Sequence, residues 1–228
     1  MTQLKICGFT SRTDALQAVE YGISILGFIF YPGSPRYITP DKAADIIRHL
    51  PFYTTPVGIL VHPVAEDVIT LQKYTGCRAM QVYEPKDFES FHPFPFPVIW
   101  AFRSTERVKK ALIQNLKTPD MLLIDSFSKK GYGGTGKVFD WKTIPGSIPR
   151  DKLILAGGIT GETIRDALVE VHPAVIDIAG GSESVPGEKD FQKIRTLISR
   201  VHAFNMEQLG KNEKKTDTKA EIIHDIHS

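Results

Sequence analysis

The sequence predicts an α/β protein, a single (β/α)8 TIM barrel with a short polar C-terminal extension. Three observations carry this. Eight short apolar segments recur along the chain, and helical spacing or turn residues separate them. Several, such as residues 25–30 and 121–124, are almost continuously apolar, the pattern of strands buried on both faces of a parallel sheet. No linker-like change of composition interrupts the alternation, so one barrel domain is expected over residues 1–204. An open doubly wound sheet is the alternative with the same alternation.

Each element has local reasons. Residues 4–7 read as the first strand, stopped by Gly8. Thr10 or Ser11 caps a helix with Ala15, Leu16 and Val19 on one face, ending near Gly22. Residues 25–30 are the second strand, followed by a loop stiffened by Pro32 and Pro35. Thr39-Pro40-Asp41 supplies a capping hydroxyl, a first-turn proline and an acid at the positive dipole end. Ala43, Ile46, Ile47 and Leu50 are that helix's inner face. Residues 57–61 are the third strand, Val64, Val68 and Leu71 the next helix face, and residues 78–83 the fourth strand. Pro85, Pro93, Pro95 and Pro97 leave room for only a short helix before strand five, Val98–Phe102. A helix over 106–116, strand six at Met121–Asp125, a glycine-rich loop and a short segment over 140–144 come next. Strand seven is Leu153–Ala156, a helix spans 162–171, and strand eight is Val175–Ile178. Phe191, Ile194, Leu197, Ile198 and Val201 make the last amphipathic face. Residues 205–228, rich in Lys, Glu, Asp and Thr, read as a solvated, flexible tail.

Composition narrows the function. With 42% hydrophobic residues the chain can bury a full core. A formal net charge of +2 gives no polyanion footprint, so no nucleic-acid partner is expected. Two cysteines, Cys7 and Cys77, do not make a disulfide framework, and a reducing cytoplasm is expected. The N-terminus lacks a signal-peptide apolar region, and no apolar run is long enough to span a bilayer.

In a barrel of this kind the site lies where strands end. Strand six runs into Asp125, and the glycine-rich loop follows at once, the arrangement of a catalytic acid beneath a mobile lid. That loop matches the phosphate-binding P-loop at Gly131, Gly136 and Lys137, but Val138 replaces the hydroxyl that motif requires, so a nucleotide site is rejected. Strand one ends at Cys7, a buried hydrophobe or, given a positive neighbour, a thiolate base. Lys5, two residues back, faces the same side. In the barrel interior it needs a partner, and Asp177 on the adjoining strand eight is the candidate; otherwise Lys5 points out between helices. Arg36 can fork a carboxylate or stand as a surface charge. The pairs Gly157-Gly158 and Gly180-Gly181, after strands seven and eight, allow backbone N–H groups to approach a phosphate.

Together these residues resemble the phosphoribosylanthranilate isomerase family. The matching pieces are K-I-C-G at 5–8, F-Y-P-G-S-P-R at 30–36, D-x(5)-G-Y-G-G-T-G-K-x-F-D-W at 125–141, L-A-G-G-I-T at 155–160 and P-G-x-K-D at 186–190. The resemblance implies an Amadori rearrangement of a small phosphosugar-anthranilate substrate in tryptophan biosynthesis, without cofactor or metal. It implies Asp125 as general acid, Cys7 as general base, Arg36 as the holder of the anthranilate carboxylate and the glycine pairs as the phosphate site. At three places the chain departs from the family's usual residues. Ala179 and Gly180 stand where two hydroxyls are usual, with Ser182 near enough in sequence to restore one. Tyr83 follows strand four where a histidine is usual. Trp100 replaces a common lysine. The histidine-biosynthesis isomerase does the same rearrangement with two aspartates, and Cys7 argues against it. Cys7, Arg36 and Asp125 together argue against a barrel that only binds a phosphate ligand.

Overall fold

A computed structural model of the chain describes residues 1–85, 94–103, 120–125, 141 and 144–226, with side chains described as far as residue 211. Eight parallel strands close into a barrel in sequence order. They are β1 (Gln3–Cys7), β2 (Ile25–Ile29), β3 (Thr55–Val61), β4 (Ala79–Tyr83), β5 (Val98–Phe102), β6 (Met121–Asp125), β7 (Leu153–Ala156) and β8 (Val175–Ile178). β8 pairs with β1, setting Lys5 against Asp177. Closure rules out the open doubly wound sheet.

Alternation along each strand sorts side chains into two cores. Outward residues such as Ile6, Phe28, Leu122, Leu155 and Ile176 pack in the shell beneath the helices. Inward residues, among them Val57, Ala79, Ile99, Leu123, Ile154 and Val175, form a second cluster within the barrel. Burial of both faces explains why these strands carry no polar alternation in sequence.

The helices begin where the caps predict. α1 (Arg12–Glu20) is capped by Ser11, whose side chain accepts from the Asp14 N–H. α2 (Pro40–Arg48) is capped by Thr39. α3 (Ala65–Thr75) ends at Gly76 in the left-handed region, where a side chain is disfavoured. On α1 the buried set is Ala15, Ala18 and Val19, while Leu16 is half-buried. α4 (Ile164–Val171) starts two residues later than the sequence predicts. The expected helix over 106–116, the glycine-rich loop and the rest of the stretch 126–140 lie outside the described residues.

Two features differ from the sequence reading. After β8 comes a 3-10 turn (Gly180–Ser182) and then a small antiparallel hairpin, β9 (Glu183–Val185) with β10 (Glu188–Lys189). The final helix, α5 (Phe191–Ile226), runs through the expected tail without a break at 204. Its first turns dock on the barrel: Phe204 is buried, and Asn205 exchanges two 2.8 Å hydrogen bonds with the backbone of Thr2. A side-chain amide can fold back onto a chain terminus in a way that helical periodicity does not encode.

Candidate active site

A cavity of about 1060 Å³ opens at the carboxyl ends of the strands. Cys7, Arg36 and Asp125 all line it, together with Gly157, Gly158, Gly180 and Gly181. The seven residues singled out from the sequence therefore meet on one wall-and-floor surface, although 173 positions separate Cys7 from Gly180 (180 − 7).

Cys7 ends β1 and is buried. Gly27, its partner on β2, leaves room for the thiol: a Cβ there would lie 2.8 Å from Cys7 Sγ. Lys5 sits one layer deeper. Its ammonium donates to Asp177 Oδ2 at 2.8 Å, and neither side chain is more than 5% exposed. Lys5 thus points into the barrel and not between the helices. Burial alone would lower the pKa of Lys5, but the charges of Asp177 and Cys7 outweigh it and raise the value. Burial also pushes the Cys7 thiol up, and Asp177 adds to this; Lys5 and Lys189 pull in the opposite direction. Asp177 Oδ1 has no hydrogen-bond partner among the described residues, and Asp177 lines the cavity.

Asp125 ends β6, opposite Ala156 of β7. Tyr83, at the end of β4, donates its hydroxyl to Asp125 Oδ2 at 3.2 Å. Burial, and then the neighbouring charge of Asp125, hold the Tyr83 hydroxyl well above its ordinary pKa, so it remains a donor. The sequence marked Tyr83 only as a departure from the usual histidine. Its contact with the predicted acid depends on strands that are 42 residues apart in sequence.

Arg36 is fixed by a residue that sequence reasoning did not single out. Glu183 accepts from Arg36 Nε at 2.9 Å and from Nη2 at 2.7 Å. Lys189 donates to the same carboxylate at 2.8 Å and to the Cys7 carbonyl at 2.6 Å. Burial would raise the Glu183 pKa, but hydrogen bonds from Arg36 and Lys189 hold it below the usual carboxylate value. Burial lowers that of Lys189, against the pull of Glu183. The local sequence signal for this hairpin is Pro186-Gly187, a turn dipeptide that folds Lys189 back over Glu183.

In the loops after β7 and β8, Gly157 and Gly158 have φ of +96° and +64°, which side chains rarely adopt, and a Cβ at Gly180 would lie 3.5 Å from Arg36 Nη2. Gly181 packs so closely that a Cβ would lie 2.1 Å from Ile159 O. A Cβ at Gly158 would meet no described residue within 4 Å, and all four glycines line the cavity. Ser182 does not restore a hydroxyl to it: Ser182 is fully buried, and its Oγ donates to Ala179 O at 2.6 Å. Trp100 faces the outer shell, its indole N–H directed at Asp120. Among the described residues no cluster of His, Cys, Asp or Glu is placed to hold a metal ion, and no helix is long and apolar enough to cross a membrane.

A thiol and a carboxyl share a cavity at the mouth of a closed eight-stranded barrel, together with an arginine and two pairs of loop glycines. Fold and cavity define a (β/α)8-barrel enzyme with its candidate site at the carboxyl ends of the strands. The chain belongs to the N-(5'-phosphoribosyl)anthranilate isomerase family, whose model matches residues 4–200. Members are isomerases that carry out an aldose–ketose rearrangement. The isomerase of Geobacter metallireducens is 39% identical over 206 residues, covering 89% of this chain and 100% of that one. The crystal structure of phosphoribosyl anthranilate isomerase from Thermotoga maritima matches with a TM-score of 0.78 at 33% identity, covering 89% of this chain and 100% of that one. Another solved isomerase, in complex with reduced 1-(o-carboxyphenylamino)-1-deoxyribulose 5-phosphate, matches with a TM-score of 0.71 at 30% identity, over 89% of this chain and 100% of that one.

Proposed function

We propose that this chain converts N-(5-phosphoribosyl)anthranilate to 1-(2-carboxyphenylamino)-1-deoxyribulose 5-phosphate, the isomerisation step of tryptophan biosynthesis, with Asp125 as general acid and Cys7 as general base. The observation that carries the reading is the convergence of Cys7, Asp125 and Arg36 on one cavity in a chain whose family match spans residues 4–200. Catalysis is assigned to residues 1–204, since every residue invoked lies at or before Gly181.

Asp125 gives its proton to the ribose ring oxygen, and the C1′–O bond breaks to leave an open-chain iminium. Cys7 then takes the proton on C2′, and the electron pair moves to form the enol, which tautomerises to the ketone. No atom is gained or lost. Arg36 holds the anthranilate carboxylate, and the backbone at Gly157, Gly158, Gly180 and Gly181 receives the phosphate. Burial of Cys7 opposes a resting thiolate. Cys7 still enters the reaction as the thiolate, its proton lost to solvent before ring opening; Lys5 and Lys189 favour that form against burial, and the iminium charge then stabilises it.

Loss of phosphoribosylanthranilate fluorescence with purified protein tests the assignment. Cys7→Ala and Asp125→Asn should each lower kcat by ~10²-fold to 10⁴-fold while leaving the fold intact. Wild-type turnover with either variant still near full rate would remove that residue from its role.

A further inference from the structure

The isomerase reading gives no part to Glu183 and Lys189. The side chains of Glu183 and Lys189 are 2% and 0% exposed. Charges at such depth are retained only when paired, and these two pair with groups the reaction uses. A guanidinium has two forked edges, and Glu183 takes the Nε/Nη2 edge of Arg36. The Nη1/Nη2 edge remains for a second carboxylate. Lys189 has three N–H bonds. One meets Glu183 and one the Cys7 carbonyl, while the ammonium lies 5.2 Å from the centre of the Phe9 ring. With its side chain 0% exposed it meets no ligand directly, so whatever it does passes through its neighbours. The hairpin that carries both residues is itself anchored beside β1, where Thr10 Oγ1 donates to Gly187 O at 2.9 Å.

We propose that Glu183 and Lys189 are positioning residues: Glu183 aims the free edge of Arg36 at the aromatic carboxylate of the substrate, and Lys189 ties that ion pair to the backbone of the base, Cys7. The proposal rests on the isomerase reading and deepens it. The carboxylate subsite and the base then move as one body, so the span from ring carboxylate to C2′ is set by the β9–β10 hairpin. The groups facing Cys7 are Lys5 from its own strand, Asp177 from β8, Tyr83 from β4 and Lys189 from β10. Lys5 and Lys189 favour the thiolate and Asp177 opposes it. Loss of the Lys189 charge therefore moves the thiol titration to higher pH.

Two readouts separate this role from a merely structural one. The first compares binding of the reduced product analogue with the same compound lacking its ring carboxylate. Wild type should prefer the carboxylated form by about 10- to 100-fold, the worth of a charged forked hydrogen bond. Glu183→Gln should lose that preference while keeping its affinity for the other compound. The second follows Lys189→Met: the acidic limb of kcat/KM against pH, and the alkylation of Cys7 by iodoacetamide, should both shift to higher pH. Cys77 stays silent in that assay, since burial pushes it to about 11. Should the single variants fail to fold, Glu183→Gln/Lys189→Met removes both members of the buried pair and carries the same two measurements. A retained preference in Glu183→Gln, or an unmoved limb in Lys189→Met, overturns the proposal while isomerase turnover stands. Wild type that neither turns over phosphoribosylanthranilate nor binds either analogue overturns the isomerase reading, and this proposal with it.

Discussion

The barrel interior is built in two ways. Along β3 to β7 the inward residues are mostly small or aliphatic: Val57, Ala79, Ile99, Ala101, Leu123, Ile154 and Ala156 form one apolar cluster. At the β1–β8 seam they are ionised: Lys5 faces Asp177, and above them Lys189, Glu183 and Arg36 form a second buried network. The apolar wall holds by area and packing, which tolerate a change of shape. The seam holds by pairing, which does not, because removal of one partner leaves the other charged in a dry site. A site that must keep a thiol and an arginine in register benefits from the less tolerant construction.

The largest break in this comparison is expected at Lys5. Lys5→Met should destabilise the fold by about 3–5 kcal/mol, read from denaturant melts, and Lys5→Met/Asp177→Asn should recover much of it. A melt no worse than an ordinary core substitution would mean that the seam is not held by pairing. The pKa of Lys5 is raised above 10.5 in the fold, so its contribution is complete below pH 10.5 and is lost only as the pH climbs through the raised value. The gap between wild type and Lys5→Met should therefore be flat through neutral pH and close in strong alkali.

Glu183 sharpens the contrast from the acid side. Its hydrogen bonds to charged partners make wild type more stable than Glu183→Gln by about 1.5–3 kcal/mol. Its carboxyl is held below 4.5, so that advantage is present above pH 4.5 and disappears as the pH falls through the folded value. A difference independent of pH would show that Glu183 contributes by packing alone. The smallest effect belongs to the apolar wall. Ile154→Val should cost about 0.5–1.5 kcal/mol at every pH and leave kcat/KM unchanged. A pH-dependent cost there would erase the distinction between the two walls.

The sequence by itself determined the eight strands, the caps of α1 and α2, and which candidate residues meet at the cavity. Strand burial on both faces writes itself as unbroken apolar runs, and a cap is a contact of a residue with its own next turn. Cys7, Asp125 and the glycine pairs could be picked out because each marks the end of a strand. Lys5–Asp177 was within reach for a related reason: barrel closure makes β1 and β8 neighbours, so a buried lysine on one calls for an acid on the other. The tertiary structure alone decided what each site residue leans on. Tyr83 on Asp125, Glu183 on Arg36 and Lys189 on the carbonyl of Cys7 all join segments that no local period relates, or that meet only because a hairpin folds back. The same holds for Asn205, which reads as part of a polar tail yet closes on Thr2. Ser182 shows the converse, a hydroxyl correctly placed along the chain but turned into the protein by the 3-10 turn that carries it. Local propensity and burial period are properties of consecutive residues, whereas the direction of a polar side chain is settled by whichever partner the closed barrel brings within hydrogen-bond reach.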